Sequence, residues 1–239
     1  MSHAITIQIH VPGWCLRRLR HGKARLQGAS RAVAAPRDLV GDRDVEWSWV
    51  ASHVPAGPGE ALDFGPGGSH LGLVAAHRGF RVTALDLQPV NWPYVHPGLR
   101  FVQGDLLTLP FPKDLFDLVI NCSTVEHVGL AGRYGVSEPR PDGDLEAMAY
   151  LRTLMKPGAT MLLTVPVGRD AVVGALHRVY EPQRLERLLA GYVIEEQQFW
   201  SKNPQNAWTP VDRRDALVVD PGAQTYGLGC LVLVRGMGG

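Results

Sequence analysis

Apolar residues fall in short blocks whose rhythm changes along the chain. Near-continuous apolar runs that end in an acid or a polar residue occur at Ala61-Leu62-Asp63, Val82-Thr83-Ala84-Leu85-Asp86, Phe101-Val102-Gln103-Gly104-Asp105 and Phe116-Asp117-Leu118-Val119-Ile120-Asn121, and another covers 160–165. Runs of this length read as strands buried on both faces. Between them the period becomes helical. Ser69 is a good N-cap for a helix over 70–78 that Gly79 stops. Asp144 can cap a second helix with the stripe Met148, Leu151, Leu154 and Met155, ended by Pro157-Gly158. Pro182 occupies a first-turn position ahead of Leu185, Leu188 and Leu189, and Gly191 closes that helix. Strand-like runs at 192–200 and 227–234 complete the pattern with no helix between them, so they should pair antiparallel. Strand, helix, strand, repeated, predicts an α/β fold with a mostly parallel sheet and helices on both faces.

The junction after the first strand, Asp63-Phe64-Gly65-Pro66-Gly67-Gly68-Ser69, carries the most chemistry. Glycine has no side chain to block a ligand and accepts unusual φ/ψ, so backbone N–H groups can approach an anion or a nucleoside closely. The dinucleotide pattern G-x-G-x-x-G fails here, because its third glycine would be His70. Asp86 follows Gly65 by 21 residues, close to the ~20-residue offset at which a carboxylate reaches a ribose diol. An aspartate after a strand is also a common turn former or cap, so each acid alone keeps two readings. Three acids at the ends of predicted parallel strands share one geometric cause, since ligands of open α/β sheets bind in the crevice outside those ends.

In this order, over about residues 43–198, these motifs resemble the Rossmann-like (class I) S-adenosylmethionine (SAM) dependent methyltransferase family, and the segment from Gly129 to Asp144 together with His177-Arg178-Val179-Tyr180 resembles a little-characterised bacterial branch of it associated with glycan and natural-product modification. Ser69 stands where the family's first motif usually has its last glycine. The resemblance implies a doubly wound, mostly parallel seven-stranded sheet with one antiparallel strand. It implies SAM as cofactor, held by Asp63, Gly65 and Gly67, by Asp86 at the ribose, by Asp105 at the adenine, by Leu87 and Leu106 beside them, and by Asn121 and Ser123 after the fourth strand.

Methyl transfer needs an acceptor held in line with the sulfonium methyl, so positioning is the main task. A hydroxyl acceptor must also lose a proton. His127 is the candidate base, and Glu126 beside it could orient it, bind cofactor or act as base; a helix start that only caps and packs is the alternative. The glycine-rich polar segment from Gly129 to Asp144 is long enough to be an acceptor lid. Arg133 and Arg140 could clamp an anionic group, Tyr134 or Tyr180 could stack on the acceptor, and His177 joins them as a substrate-binding candidate; ordinary surface arginines are the other reading. Enzymes of this fold that methylate amino groups of nucleic acids usually carry Asn or Asp, Pro, Pro and an aromatic after the fourth strand, where this chain has Asn121-Cys122-Ser123-Thr124. The expected reaction is therefore transfer to a hydroxyl of a small molecule or saccharide. A SAM-binding regulatory or scaffold subunit and a nicotinamide oxidoreductase are the rivals.

Composition narrows this only slightly. A chain of 239 residues fits one enzyme-sized domain, expected over 43–239 after a basic arm at 1–42. Arg17, Arg18, Arg20, Lys23, Arg25, Arg31 and Arg37 precede the first acid, Asp38, against a net charge of +1 for the whole chain. Such an arm could meet an anionic membrane surface, nucleic acid or an acidic partner, or be a solvated lead-in; no aromatic interleaving or long basic stripe favours nucleic acid. Cys15, Cys122 and Cys230 are odd in number and far apart, which fits a reducing cytoplasm better than a disulfide framework. No metal site is expected: Asp142 with Asp144, and His70 with His77, lack further ligands. No apolar run reaches the ~18–20 residues of a membrane span. Arg43, Glu46, Trp47 and Trp49 could close over a ligand or serve as core.

Overall fold

The computed structural model describes residues 41–237 apart from Arg133, Ala175, Ala223 and Gln224, so the basic arm and Arg133 lie outside the described residues. Every expected strand forms: β1 (Gly59–Phe64), β2 (Phe80–Asp86), β3 (Leu99–Gln103), β4 (Phe116–Cys122), β5 (Met155–Val167), β8 (Tyr192–Lys202) and β10 (Gly227–Arg235). Three short strands were not expected. They are β6 (Ala171–Val173) and β7 (His177–Val179), which pair as a separate hairpin, and β9 (Trp208–Val211), which pairs with the end of β8.

The main sheet runs β3-β2-β1-β4-β5-β10-β8-β9. It has eight strands, not the seven expected, because Trp208–Val211 folds back on β8 as an extra edge strand. That also makes two reversals rather than one, at β10 and at β9. Strand order turns around between β1 and β4, which are both parallel neighbours at the centre of the sheet. This is the switch point at which an α/β sheet opens a crevice.

Alternation along the strands divides the core into two layers. Ala61, Leu118, Ile120 and Leu162 face helices α1 (Asp42–His53) and α2 (Leu71–His77), while Leu62, Val119, Met161 and Leu163 face α3 (Gly143–Leu154) and α4 (Pro182–Leu188). Helices thus cover both faces. The β2–β3 and β3–β4 connections contain none, in keeping with Pro89, Pro93 and Pro97 in one and Pro110 and Pro112 in the other.

Two helix starts differ from expectation. Helix α2 begins at Leu71 with His70 in the cap position, and Ser69 Oγ lies a long 3.5 Å from the Leu71 amide. Asp144 does not cap α3; it sits inside the first turn, fully buried, and receives Arg184 Nε at 3.1 Å and Nη2 at 2.6 Å. A carboxylate there is favoured by the helix dipole and by its guanidinium partner, and the pair ties α3 to α4. Helix α4 starts as its sequence implies, with Pro182 in the first turn and the Glu181 carboxylate accepting from the Gln183 and Arg184 amides.

Asp144→Ala leaves the buried Arg178 without its carboxylate and Arg184 with only the exposed Asp142 at 3.5 Å. Urea denaturation should show a loss of about 3–5 kcal/mol. Asp220→Ala, which removes an exposed ion pair with Arg169, should change stability by less than about 1 kcal/mol.

Candidate active site

The crevice is built first by the turn that ends β1. Gly65 has φ +67°, and a Cβ there would lie 2.1 Å from Thr124 Cγ2. The glycine is required by this approach, in which the turns after β1 and β4 touch and Thr124 Oγ1 donates to Gly65 O at 3.1 Å. Gly67 also has a positive φ, +50°, yet a Cβ at Gly67 or Gly68 would meet nothing within 4 Å. The outer side of the turn is open. Asp86, at the end of β2, fixes the turn by accepting from the Gly67 amide (3.0 Å) and the Gln88 amide (2.9 Å).

Asp63 lies under this turn, only 2% exposed, and its Oδ2 finds no hydrogen-bond donor among the described residues. Burial pushes its pKa up to about 7; the Gly72 amide, which lies against the carboxyl without making a hydrogen bond to Oδ2, offsets this in part, and the negative charge of Asp86 adds to it. The β2–β3 connection closes one side. Trp92 Nε1 donates to Gly67 O at 3.0 Å and Tyr94 OH to Ser69 O at 2.7 Å, with the two rings stacked at 5.4 Å. Burial and the nearby Asp63 push the Tyr94 phenol up to about 12. Trp92 and Tyr94 were missed in the sequence, where nothing ties them to a turn about 25 residues earlier.

Asp105 stands just beyond β3, on the neighbouring strand end, where Oδ1 accepts from the Leu107 amide at 2.9 Å. It therefore forms the side-chain turn that was its alternative reading, with its second oxygen still to be used. Leu106 is buried and Leu87 is exposed at the rim.

Beyond β4, the structure separates candidates that the sequence grouped. Asn121 is fully buried, with its amide nitrogen on Met148 Sδ (3.5 Å) and its oxygen on the Val125 amide (3.3 Å). Its side chain shapes the following turn and does not reach the crevice. Ser123, at φ +49°, donates through Oγ to Glu46, and Thr164 Oγ1 donates to the same carboxylate oxygen at 3.2 Å. Glu46 on α1 is thus a buried member of the site, with Arg43 3.0 Å from its other oxygen, whereas Trp49 packs in the core.

Glu126 and His127 lie in one turn of 3₁₀ helix, Val125–His127. Burial pushes Glu126 up to about 8; its own amide, Arg43 and Ser123 pull the other way, and the charge of Glu46 adds to the rise. Glu126 therefore holds its proton well above the usual carboxylate range. His127 donates from Nδ1 to Leu176 O, at the tip of the β6–β7 hairpin, and this carbonyl selects the Nδ1–H tautomer of the neutral ring. Its lone pair is then on Nε2, 3.8 Å from Glu126 Oε1.

Residues 129–142 form a loop with pinched ends: the Arg140 amide donates to Gly129 O at 2.9 Å, and the Gly143 amide to Arg140 O at 3.0 Å. It crosses the rim from β4 toward β2, where Gln88 Nε2 donates to Tyr134 O at 3.0 Å. Tyr134 and His177 gather at His127, with ring centroids 5.6 and 6.5 Å away. Tyr180 does not join them. It is fully buried in the core, so the expectation that it contacts substrate is corrected: β7 leads it under the sheet rim. Arg140 makes an exposed ion pair with Glu146. Among the described residues no group of His, Cys, Asp and Glu is arranged to hold a metal ion, and no helix is long and apolar enough to cross a membrane.

Comparison with known proteins adds to this geometry. A family model described as "Caenorhabditis protein of unknown function, DUF268" matches residues 111–209, the part that carries Glu126, His127, the loop and the hairpin. No curated protein sequence matches the chain. Solved structures do match in fold. One is the Burkholderia thailandensis 1,6-didemethyltoxoflavin-N1-methyltransferase with bound 1,6-didemethyltoxoflavin and S-adenosylhomocysteine (17% identity, 97% of this chain and 93% of that chain, TM-score 0.53). Another is a SAM dependent methyltransferase from Archaeoglobus fulgidus (13% identity, 82% and 96%, TM-score 0.56). The [4+2]-cyclase SpnF matches equally well (18% identity, 80% and 80%, TM-score 0.55). The fold is that of the SAM-dependent methyltransferase structures, and since a cyclase shares it, the chemistry must be argued from the site.

Asp63 and Glu126 give the site a pH signature. Both acids hold their protons more tightly folded than unfolded, so the stability they contribute is complete below about pH 4 and is lost as pH rises through about 7 for Asp63 and about 8 for Glu126. Asp63→Asn should flatten the fall in urea-denaturation stability between pH 4.5 and 8 by up to about 3 kcal/mol.

Proposed function

We propose that this chain is a SAM-dependent methyltransferase that acts on a hydroxyl of a small molecule or saccharide. The observation that carries the reading is the buried carboxylate of Asp63, without a donor on Oδ2 among the described residues, beneath a glycine turn whose outer side is open and whose amide is held by Asp86. A ligand with a cationic ammonium and a ribose diol suits that set: the ammonium would compensate Asp63, and Asp86 keeps lone pairs for the diol after accepting two amides. Asp105 with Leu106 would meet the adenine, and Leu87 would cover it from the rim.

The cofactor supplies a methyl group on a sulfonium, with a neutral thioether as leaving group. The chain's own residues then have two tasks, to hold the acceptor in line and to accept its proton. With Nδ1–H on Leu176 O, His127 can take the hydroxyl proton at Nε2. Burial raises the pKa of Glu126 to about 8, which weakens the negative charge beside that nitrogen near neutrality. Tyr134 and His177 would wall the acceptor, and the loop from which Tyr134 comes, tied to Gln88, would keep water out.

Isothermal calorimetry should detect S-adenosylhomocysteine binding, weakened about 10- to 100-fold by Asp86→Ala through loss of the diol contact. With labelled SAM and a panel of hydroxyl acceptors, His127→Gln should lower turnover about 10²- to 10⁴-fold while leaving S-adenosylhomocysteine affinity intact. Absence of binding by the unaltered protein would defeat the reading; binding without transfer to any acceptor would favour a regulatory SAM-binding subunit.

A further inference from the structure

Three consecutive residues of the β6–β7 hairpin reach His127 in different ways. Leu176 offers its carbonyl to Nδ1, His177 brings its ring centroid to 6.5 Å, and Arg178 grips the backbone on either side. Arg178 Nη1 donates to Glu126 O at 3.3 Å and to Val128 O at 2.6 Å, the two carbonyls that bracket His127. Its Nη2 donates to Arg140 O at 3.2 Å and Pro141 O at 3.3 Å, at the pinched base of the 129–142 loop, while Nε faces Asp144 Oδ1 at 3.8 Å. The side chain is 5% exposed. A buried cation thus serves four carbonyls in two segments, which only a planar fork with several N–H groups can do at once.

We infer that Arg178 is a positioning residue for His127: by anchoring the hairpin to the 3₁₀ turn and to the loop base, it holds the Leu176 carbonyl against Nδ1 and so fixes the tautomer that carries the lone pair on Nε2. The inference rests on the reading of His127 as base. Its physical content, the tautomer, belongs to the protein alone. Arg178 lies two residues from Leu176, so a change in its anchorage shifts that carbonyl relative to the ring. Lysine keeps the charge but presents a compact head that cannot span both pairs of carbonyls. Asp144 retains Arg184 at 2.6 Å when Arg178 is replaced, so no buried carboxylate is stranded.

The test uses the full chain labelled with ¹⁵N-histidine, with His127→Gln to assign the resonances. Imidazole nitrogen shifts should show the Nδ1–H form of His127 dominant in the unaltered protein. In Arg178→Lys and Arg178→Gln the ratio of Nδ1–H to Nε2–H should fall at least threefold, and amide exchange in 129–142 should quicken. Circular dichroism checks that both variants are folded, with Arg178→Lys as the milder change. An unchanged ratio in the folded variants, or a dominant Nε2–H form in the unaltered protein, overturns the inference and leaves Arg178 a structural residue. Failure of the unaltered protein to bind S-adenosylhomocysteine would instead strike the methyltransferase reading, and the tautomer ratio would still decide this one.

Discussion

Burial of carboxylates at the ends of β1 and β4 is the constraint around which this crevice is organised. Asp63, Glu46 and Glu126 are each almost inaccessible to water, and an isolated buried charge costs far more than a folded domain can spare. Each acid meets that cost differently. Glu46 collects hydroxyls from Ser123 and Thr164 and the guanidinium of Arg43. Glu126 keeps its proton. Asp63 is poised near neutrality, with an oxygen that no described residue satisfies. A core selected only for stability would not carry these groups, and stability given up locally is the usual mark of a functional site.

The sequence displayed the frame because the frame depends on local rules. Seven strands and three helices follow from periodicity and from residues such as Pro182 and Gly191, whose conformations are restricted or permissive in themselves. The glycine turn was equally visible, since Gly65 answers a close approach that a side chain would block. What stayed hidden depends on distant partners. Glu46 acts on Ser123 from 77 residues away, and Asp144 looked like a cap until α4 brought Arg184 to it. Tyr180 sits beside His177 in sequence, but strand alternation and the bridge to Val167 carry it inward. Three- and four-residue strands such as β6, β7 and β9 are too short for any periodic signal to stand out.

The proposed function divides the rim into two halves. From β1 to β3, the glycine turn, Asp86 and the Trp92–Tyr94 pair make a surface suited to a nucleoside. From β4 onward, the 3₁₀ turn, the loop and the hairpin make the surface proposed for proton removal, and this is the half that the family match covers. Low sequence identity to the solved structures alongside a shared fold is what such a division permits: the frame is kept while the chemistry facing the acceptor is free to differ.

The pinched base of the 129–142 loop has an evolutionary consequence. Because its two ends leave the body side by side, joined through Gly129 and Arg140, residues could be inserted, deleted or exchanged between them at small entropic expense. Helix α3 and the imidazole would stay where they are. Descendants of this chain could therefore change what they recognise by rewriting a single surface excursion, leaving the inherited scaffold untouched.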